Sequence, residues 1–230
     1  MTPRSATATA SKSDLNRAAI VERALSVMDA EGPDAVTIRR VAQEFGVTPM
    51  ALYWHVANKD ELLAAMGDAL LADVVPPPAT GSWSTQLRGV VEALVAELGK
   101  HPAAAELVFP RILVTEPGLR LTEFTLALLE DAGFTREQAA DLARMGLQTA
   151  MMLVSQLPGA ENQSARDQRD ALLAEKRAHV DGLPEDLYPH VRAAARALTD
   201  CDDEAAYYAF GIDLYLEGAQ ALLRRQKRAH

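Results

Sequence analysis

Apolar side chains recur three and four residues apart along most of this chain, the spacing that gathers them on one face of an α-helix. Ile20, Val21, Ala24, Leu25 and Met28 set the first stripe, and Gly32-Pro33 stops it. Ile38, Val41, Ala42 and Phe45 set the second; Thr37 stands at its N-cap, and Gly46 can close it in a left-handed conformation. Thr48 caps a third helix with Pro49 in its first turn. Asn58 caps a fourth, with Glu61 placed for a capping box and Leu62, Leu63, Met66, Leu70 and Val74 along it. The run VVPPPATGSW breaks that helix. Beyond it the pattern predicts helices near 82–99, 103–109, 117–131, 135–155, 167–180, 185–198 and 203–226, with the clearest breaks at PGAENQSARD and DGLPED.

No segment sustains the period-two alternation of a strand, and no repeat of fixed period occurs. The expected fold class is all-α: an N-terminal helix-turn-helix three-helix domain, then a larger helical bundle. The expected organisation is a flexible polar leader over 1–14, the small domain over 15–75 and the bundle over 82–226.

Composition narrows the class. At 230 residues, 49% hydrophobic and 24% charged, the chain can bury a substantial core and reads as globular. No window reaches the roughly 18 unbroken apolar residues of a membrane helix, so no membrane partner is expected. The opening MTPRSATATASKSD lacks the apolar core of a signal peptide, and the expected compartment is the cytoplasm. Cys201 is the single cysteine, which excludes an internal disulfide framework and a multi-cysteine metal centre. His55, His101, His179, His190 and His230 are scattered, and Glu175 with His179 is read as a solvated helix face rather than a metal pair. There is no phosphate loop, nucleophile elbow or zinc-protease motif. No enzymatic activity, cofactor or metal is expected.

Charge changes the picture more. The net charge of −9 lies wholly beyond residue 60, because residues 1–60 balance seven basic against seven acidic side chains. A neutral head on an acidic body lets one end approach a polyanion. The basic end RRQKRAH is read as solubilising the chain and complementing the last helix's dipole, rather than as a nucleic-acid arm.

The second and third helices are short, and the GVT turn joins them tightly, which is the helix-turn-helix arrangement. Leu52, Val56 and Phe45 can fill the small core, leaving Thr48, Pro49, Met50, Ala51, Tyr53 and His55 off it, with Lys59 just beyond. Hydroxyl, imidazole and ammonium groups suit phosphate oxygens, while small and apolar side chains at the helix start suit base edges and thymine methyls.

The stretch VTIRRVAQEFGVTPMALYWHVANKDELL resembles the DNA-binding domain of the TetR (tetracycline-repressor) family, strongly over residues 15–72, and GSWSTQLRGVVEAL resembles the opening of that family's regulatory domain. The resemblance implies a homodimeric, ligand-responsive repressor that binds palindromic double-stranded operator DNA and releases it when a small-molecule effector enters the C-terminal domain. An activator of the same fold is the alternative, since the sign of regulation depends on operator position. The resemblance also implies residue roles. Thr37 would cap the second helix and touch phosphate; Arg39 would read guanine. Thr48, Pro49, Met50 and Ala51 would face the bases, and Tyr53, His55 and Lys59 the phosphates. Trp54, at an aromatic position of the same motif, is expected mainly to brace the third helix against the first.

The base-facing run TPMA differs from the Glu-Gln-Pro-Thr of tetracycline-binding members, and AAAELVFPRILVTEPG lacks the histidine with which they bind a magnesium chelate. Tetracycline is therefore not the expected ligand. Family geometry implies a pocket offered Met66, Leu70, Val90, Leu94, Phe109, Phe124, Met145 and Met152, with Gln148, Thr125 and an inward-turned Arg111 as polar handles. Ile112 and Leu113 also border it, and the loop QLPGAENQSARDQRD would gate it. The dimer interface is expected on 135–155 and 203–226, through Leu142, Met145, Thr149 and Met152 in the first and Gly211, Leu214, Gly218 and Leu222 in the second, with Ala139 and Gly146 allowing close approach.

Overall fold

The computed structural model describes residues 15–157 and 166–229; the expected leader and the centre of the expected gate loop lie outside them. Helix α1 (Arg17–Glu31) starts where the Asn16 side chain accepts the Ala19 N–H at 2.9 Å, and it ends at Gly32, whose φ of 86° no other residue adopts cheaply. Helix α2 (Ile38–Glu44) is capped by Thr37, which accepts the Arg40 N–H at 3.0 Å. It closes in a Schellman arrangement: Gly46, at φ 64°, donates to the Gln43 carbonyl, and Val47 donates to that of Ala42. The turn sends the chain straight into α3 (Pro49–Tyr53).

Two caps differ from expectation. Thr48 holds the N-cap position of α3, but its hydroxyl caps nothing; the Ala51 N–H donates instead to the Thr48 carbonyl at 2.9 Å. A helix this short closes its first turn through the backbone. Helix α4 (Lys59–Ala72) is capped by Asn58, yet the Glu61 carboxylate accepts from the Ala57 N–H, one residue before the cap, at 2.6 Å.

The body is built on α5 (Trp83–Leu98), α6 (Glu116–Ala132), α7 (Arg136–Ser155) and α11 (Glu204–Ala229), with α7 packed against the other three. Thr135 and Gln138 form a reciprocal capping box at the start of α7. Where an α-helix is expected over 103–109, residues Pro102–Val108 form a 3-10 segment. Pro110 follows, and neither its ring nor its missing N–H lets an α-helix continue through it. Helix α8 (Arg166–Asp181) leads to a region expected as one helix over 185–198. It is two short ones, α9 (Pro189–Ala193) and α10 (Ala195–Thr199), parted at Ala194 (φ −97°, ψ 5°), and Pro189 bars Tyr188 from the first. Among the described residues there is no strand.

One core runs from head to body. Ile20, Val36, Leu52 and Leu62 are completely buried in the head, and Val91, Leu98, Val108 and Leu129 in the body. The two halves meet where α4 crosses the 3-10 segment. There a Cβ on Gly67 would stand 2.5 Å from the Leu107 carbonyl oxygen, so only glycine permits the approach. Two polar links flank this crossing: His101 Nδ1 lies 2.6 Å from the Asp29 carboxylate of α1, and Arg111 clamps Asp68 of α4 through Nε at 2.5 Å and Nη2 at 3.1 Å.

Candidate functional site

A five-residue helix has no stability of its own; burial of Leu52 and Val56 holds α3 in place. Those two inward positions decide where its neighbours point. Successive helical residues turn by about 100°, so Trp54 falls opposite Leu52. It is 85% exposed and braces nothing. The expectation that Trp54 packs between α3 and α1 is therefore corrected: with Leu52 and Val56 already inward, no inward position remains for the indole. Met50 (67% exposed) and Tyr53 (47%) share the open surface with Thr48 and Pro49, while Ala51, His55 and Lys59 are half-buried at its edge. The structure thus brings the expected residues 48–55 and Lys59 to one end of the molecule, with exposed Thr37 and Arg39 on the preceding helix.

Three arginines of the head hold it together instead of facing out. Arg40 pairs with Glu31 and Glu44, and its hydrogen bond to Glu31 holds that carboxyl below the usual range. Arg23 reaches Glu44. Arg17 donates to the His55 carbonyl oxygen at 3.0 Å and pairs with Glu61, fixing the end of α3 to the start of α4. Hydrogen bonds from Arg17 and then from the Ala57 N–H keep the Glu61 carboxyl low as well. Arg39, by contrast, makes no hydrogen bond or ion pair with the described residues. Of two adjacent arginines, one is scaffold and one is free to meet a partner.

The body contains a cavity of about 350 Å³ between α5, α6 and α7, closed by the 109–113 segment and by Tyr215 of α11. Val90, Leu94, Phe109, Ile112, Leu113 and Thr125, all expected there, line it. The other expected residues do not. Met66 and Leu70 are buried in the α4 contacts; Phe124 lies on a different stripe of α6; Arg111 turns onto Asp68. Met145 (50% exposed), Met152 (55%) and Gln148 lie on the outer side of α7. That helix carries two apolar stripes, and the one with Ala139, Ala143, Gly146 and Ala150 is the side facing its own chain, where small residues admit neighbouring helices. Of the α7 wall residues that sequence reading missed, Ala143 and Gly146 belong to this small-residue stripe, and Ala140, Arg144 and Leu147 flank it. Thr122 and Tyr215 were missed too, being polar members of otherwise apolar faces.

Comparison with known proteins gives the family. Residues 75–223 match the family described as "Tetracyclin repressor-like, C-terminal domain", and residues 20–66 match "Bacterial regulatory proteins, tetR family". The chain belongs to the tetR family of bacterial regulatory proteins. An HTH-type transcriptional regulator of Saccharopolyspora erythraea is 30% identical over 169 residues, 72% of this chain and 70% of the relative. Tetracycline repressor protein class D of Escherichia coli is 28% identical over 215 residues, 91% of each chain. The crystal structure of the TetR family protein ActR of Streptomyces coelicolor in complex with actinorhodin superposes with a TM-score of 0.69 at 27% identity, over 90% of this chain and 96% of that one. As a tetR-family member with a helix-turn-helix head, the protein is a DNA-binding transcriptional regulator.

The outer face of α7 and α11 is the third feature of this tetR-family chain. Met145, Met152, Phe210, Leu214 and Leu222 are all at least 40% exposed there, and a Cβ on Gly218 would meet nothing within 4 Å. Four residues expected on this face are turned inward. Leu142 and Ala139 are buried in the protomer, and Gly211 backs onto Leu153, whose Cδ2 would stand 2.4 Å from an added Cβ. Gly146 admits the Tyr215 hydroxyl in the same way. The basic last turn of α11 stands at the end remote from the head: Leu223 packs by Gly133 at the α6–α7 turn, where Trp83 meets Phe134, whereas the 3-10 segment at the other end of α5 packs on α1. Among the described residues no helix is long and apolar enough to cross a membrane.

Proposed function

We propose that the protein is a cytoplasmic, homodimeric repressor that holds a palindromic operator through Arg39 and the start of α3, and releases it when a small, mostly apolar molecule fills the body cavity. The observation that carries this reading is the unbroken chain of contacts between the sites. Phe109, Ile112 and Leu113 of the cavity wall flank Arg111, which grips Asp68 of α4, and α4 begins where the recognition helix ends. A ligand that displaces 109–113 moves the Arg111–Asp68 clamp, and α4 carries the head with it. Two heads dimerised through α7 and α11 would then no longer match half-sites about one helical turn apart. Effector and operator oppose each other reciprocally, each weakening the other by the same factor. Thr37, Tyr53, His55 and Lys59 contact phosphates in this reading, Thr48 to Ala51 face base edges, and exposed Trp54 joins the contact surface. Footprinting on the DNA upstream of the protein's own gene should reveal a protected palindrome, and apolar compounds should release it equally in EDTA. Absence of a two-fold footprint, or release that requires magnesium, would overturn the proposal.

A further inference from the structure

The cavity wall carries three hydroxyls, and each has already spent its hydrogen. Thr122 Oγ1 donates to the Gly118 carbonyl at 2.8 Å, Thr125 Oγ1 to the Leu121 carbonyl at 2.8 Å, and the Tyr215 hydroxyl to the Leu142 carbonyl at 2.7 Å. A hydroxyl has one hydrogen and two lone pairs, so what remains at each of the three is acceptor capacity alone. Burial pushes the Tyr215 phenol up, so it keeps the proton it donates. The one side-chain donor in the wall is Arg144, which is exposed and paired with Asp141 one turn earlier. The rest of the wall is apolar, and no His, Asp, Glu or Cys belongs to it.

We infer that the effector of this cavity is an apolar polycycle bearing hydroxyl or other hydrogen-donating groups, and that it is recognised through Thr122, Thr125 and Tyr215 as acceptors. The inference rests on the reading of the cavity as the effector site and adds the polarity of its ligand. Polar groups enclosed with unanswered lone pairs cost free energy, so a guest that brings only carbonyl, ether or methyl groups leaves these acceptors unpaired and binds less well. About 350 Å³ lies at the small end of ligand cavities, which run roughly 300–1,000 Å³, and suits a bicyclic or tricyclic skeleton.

The test uses three probes on the full chain without DNA: dihydroxynaphthalene, its dimethyl ether, and naphthalene, each titrated by calorimetry. The diol should bind roughly tenfold or more tightly than the ether, the discrimination of about one well-made hydrogen bond. The Thr122→Val/Thr125→Val double variant, isosteric at both positions, should bring diol and ether close together while leaving naphthalene affinity unchanged; Tyr215→Phe should act in the same direction. Equal binding of diol and ether to the wild type, a preference that survives in all these variants, or no binding of any probe would overturn the inference. Operator release, measured separately, keeps the two readings apart. A diol that binds selectively but leaves operator bound breaks the repressor reading and not this one. Release by ether and naphthalene as readily as by diol breaks this one and not the repressor reading.

Discussion

The recognition helix and the outer face of α7 and α11 both leave large apolar side chains in water, and they do so in opposite company. On α3, Met50, Tyr53 and Trp54 stand among Thr48, Pro49 and the half-buried His55, on a helix too short to present a continuous apolar strip. On the body, Met145 and Met152 run along one side of a long helix beside Phe210, Leu214 and Leu222 of another. Exposed apolar area acquires meaning from its neighbours. Mixed with hydroxyl and cationic groups at a neutral end of an acidic chain, it suits the grooves and phosphates of DNA. Collected along two long helices, it suits a second protein surface, and in this proposal a second copy of this one.

The largest expected effect separates these faces. Phe210→Asp with Leu214→Asp places charge on the outer face without entering the core, and should yield monomers by sedimentation. Operator affinity should then fall roughly 100-fold or more, because the second half-site loses its tethered partner. A dimeric double variant would move the interface elsewhere.

Arg39→Ala should cost about 1–3 kcal/mol of operator binding and relax preference at one base pair per half-site, leaving assembly unchanged. Competition binding against operator variants reads this; uniform weakening across sequences would reassign Arg39 to a phosphate.

The two α11 glycines sharpen the comparison within one helix. Gly211→Leu drives a side chain into Leu153 and should destabilise the protomer by about 1–3 kcal/mol. Gly218→Leu meets nothing in the protomer, so it should leave unfolding near the wild type and shift only the monomer–dimer balance. Chemical denaturation of both variants, read beside sedimentation, distinguishes the two roles.

Trp54→Ala should change stability by no more than about 0.5 kcal/mol, as befits an exposed side chain, while weakening DNA binding. A large drop in stability would restore the bracing role that sequence suggested.

Acid gives the smallest effect and acts on the head. Arg40 holds Glu31 low, and Arg17 with the Ala57 N–H holds Glu61 low, so their contribution is present above the ordinary carboxylate range and is lost as pH falls through the depressed values. Asp29 runs the other way: burial raises it against the opposing pull of His101, so its contribution is present below the ordinary aspartate range and lost as pH rises through the raised value. Glu61→Gln should flatten the acid limb of a melting-temperature profile, and dimerisation through apolar area should not follow pH across that window.

How much was legible differed by region for a physical reason. The head's caps and turns are local events: Asn16, Thr37 and Asn58 each bond a backbone N–H three residues on, and Gly46 takes its left-handed conformation because the chain must turn there. Local chemistry is written in consecutive residues. Trp54 was misread because aromatic character argues for burial, whereas only the rotation fixed by Leu52 and Val56 decides which way position 54 points. In the cavity, helical spacing offered both stripes of α7 equally. The same is true of Met66, which is fully buried and still not part of the cavity wall.

Sequence alone determined the all-α class, the position of nearly every helix and the identity of the turn that makes the head, because helix periodicity, capping and glycine conformation depend on residues within one or two turns of each other. Tertiary structure alone decided which stripe of α7 faces inward, that Arg111 grips Asp68, that Arg40 is scaffold while Arg39 is free, and that Thr122, Thr125 and Tyr215 meet around one cavity with their hydrogens spent. Those outcomes depend on side chains up to 93 positions apart, from Thr122 to Tyr215 of α11, and no local pattern encodes which of two equivalent faces a distant helix will cover.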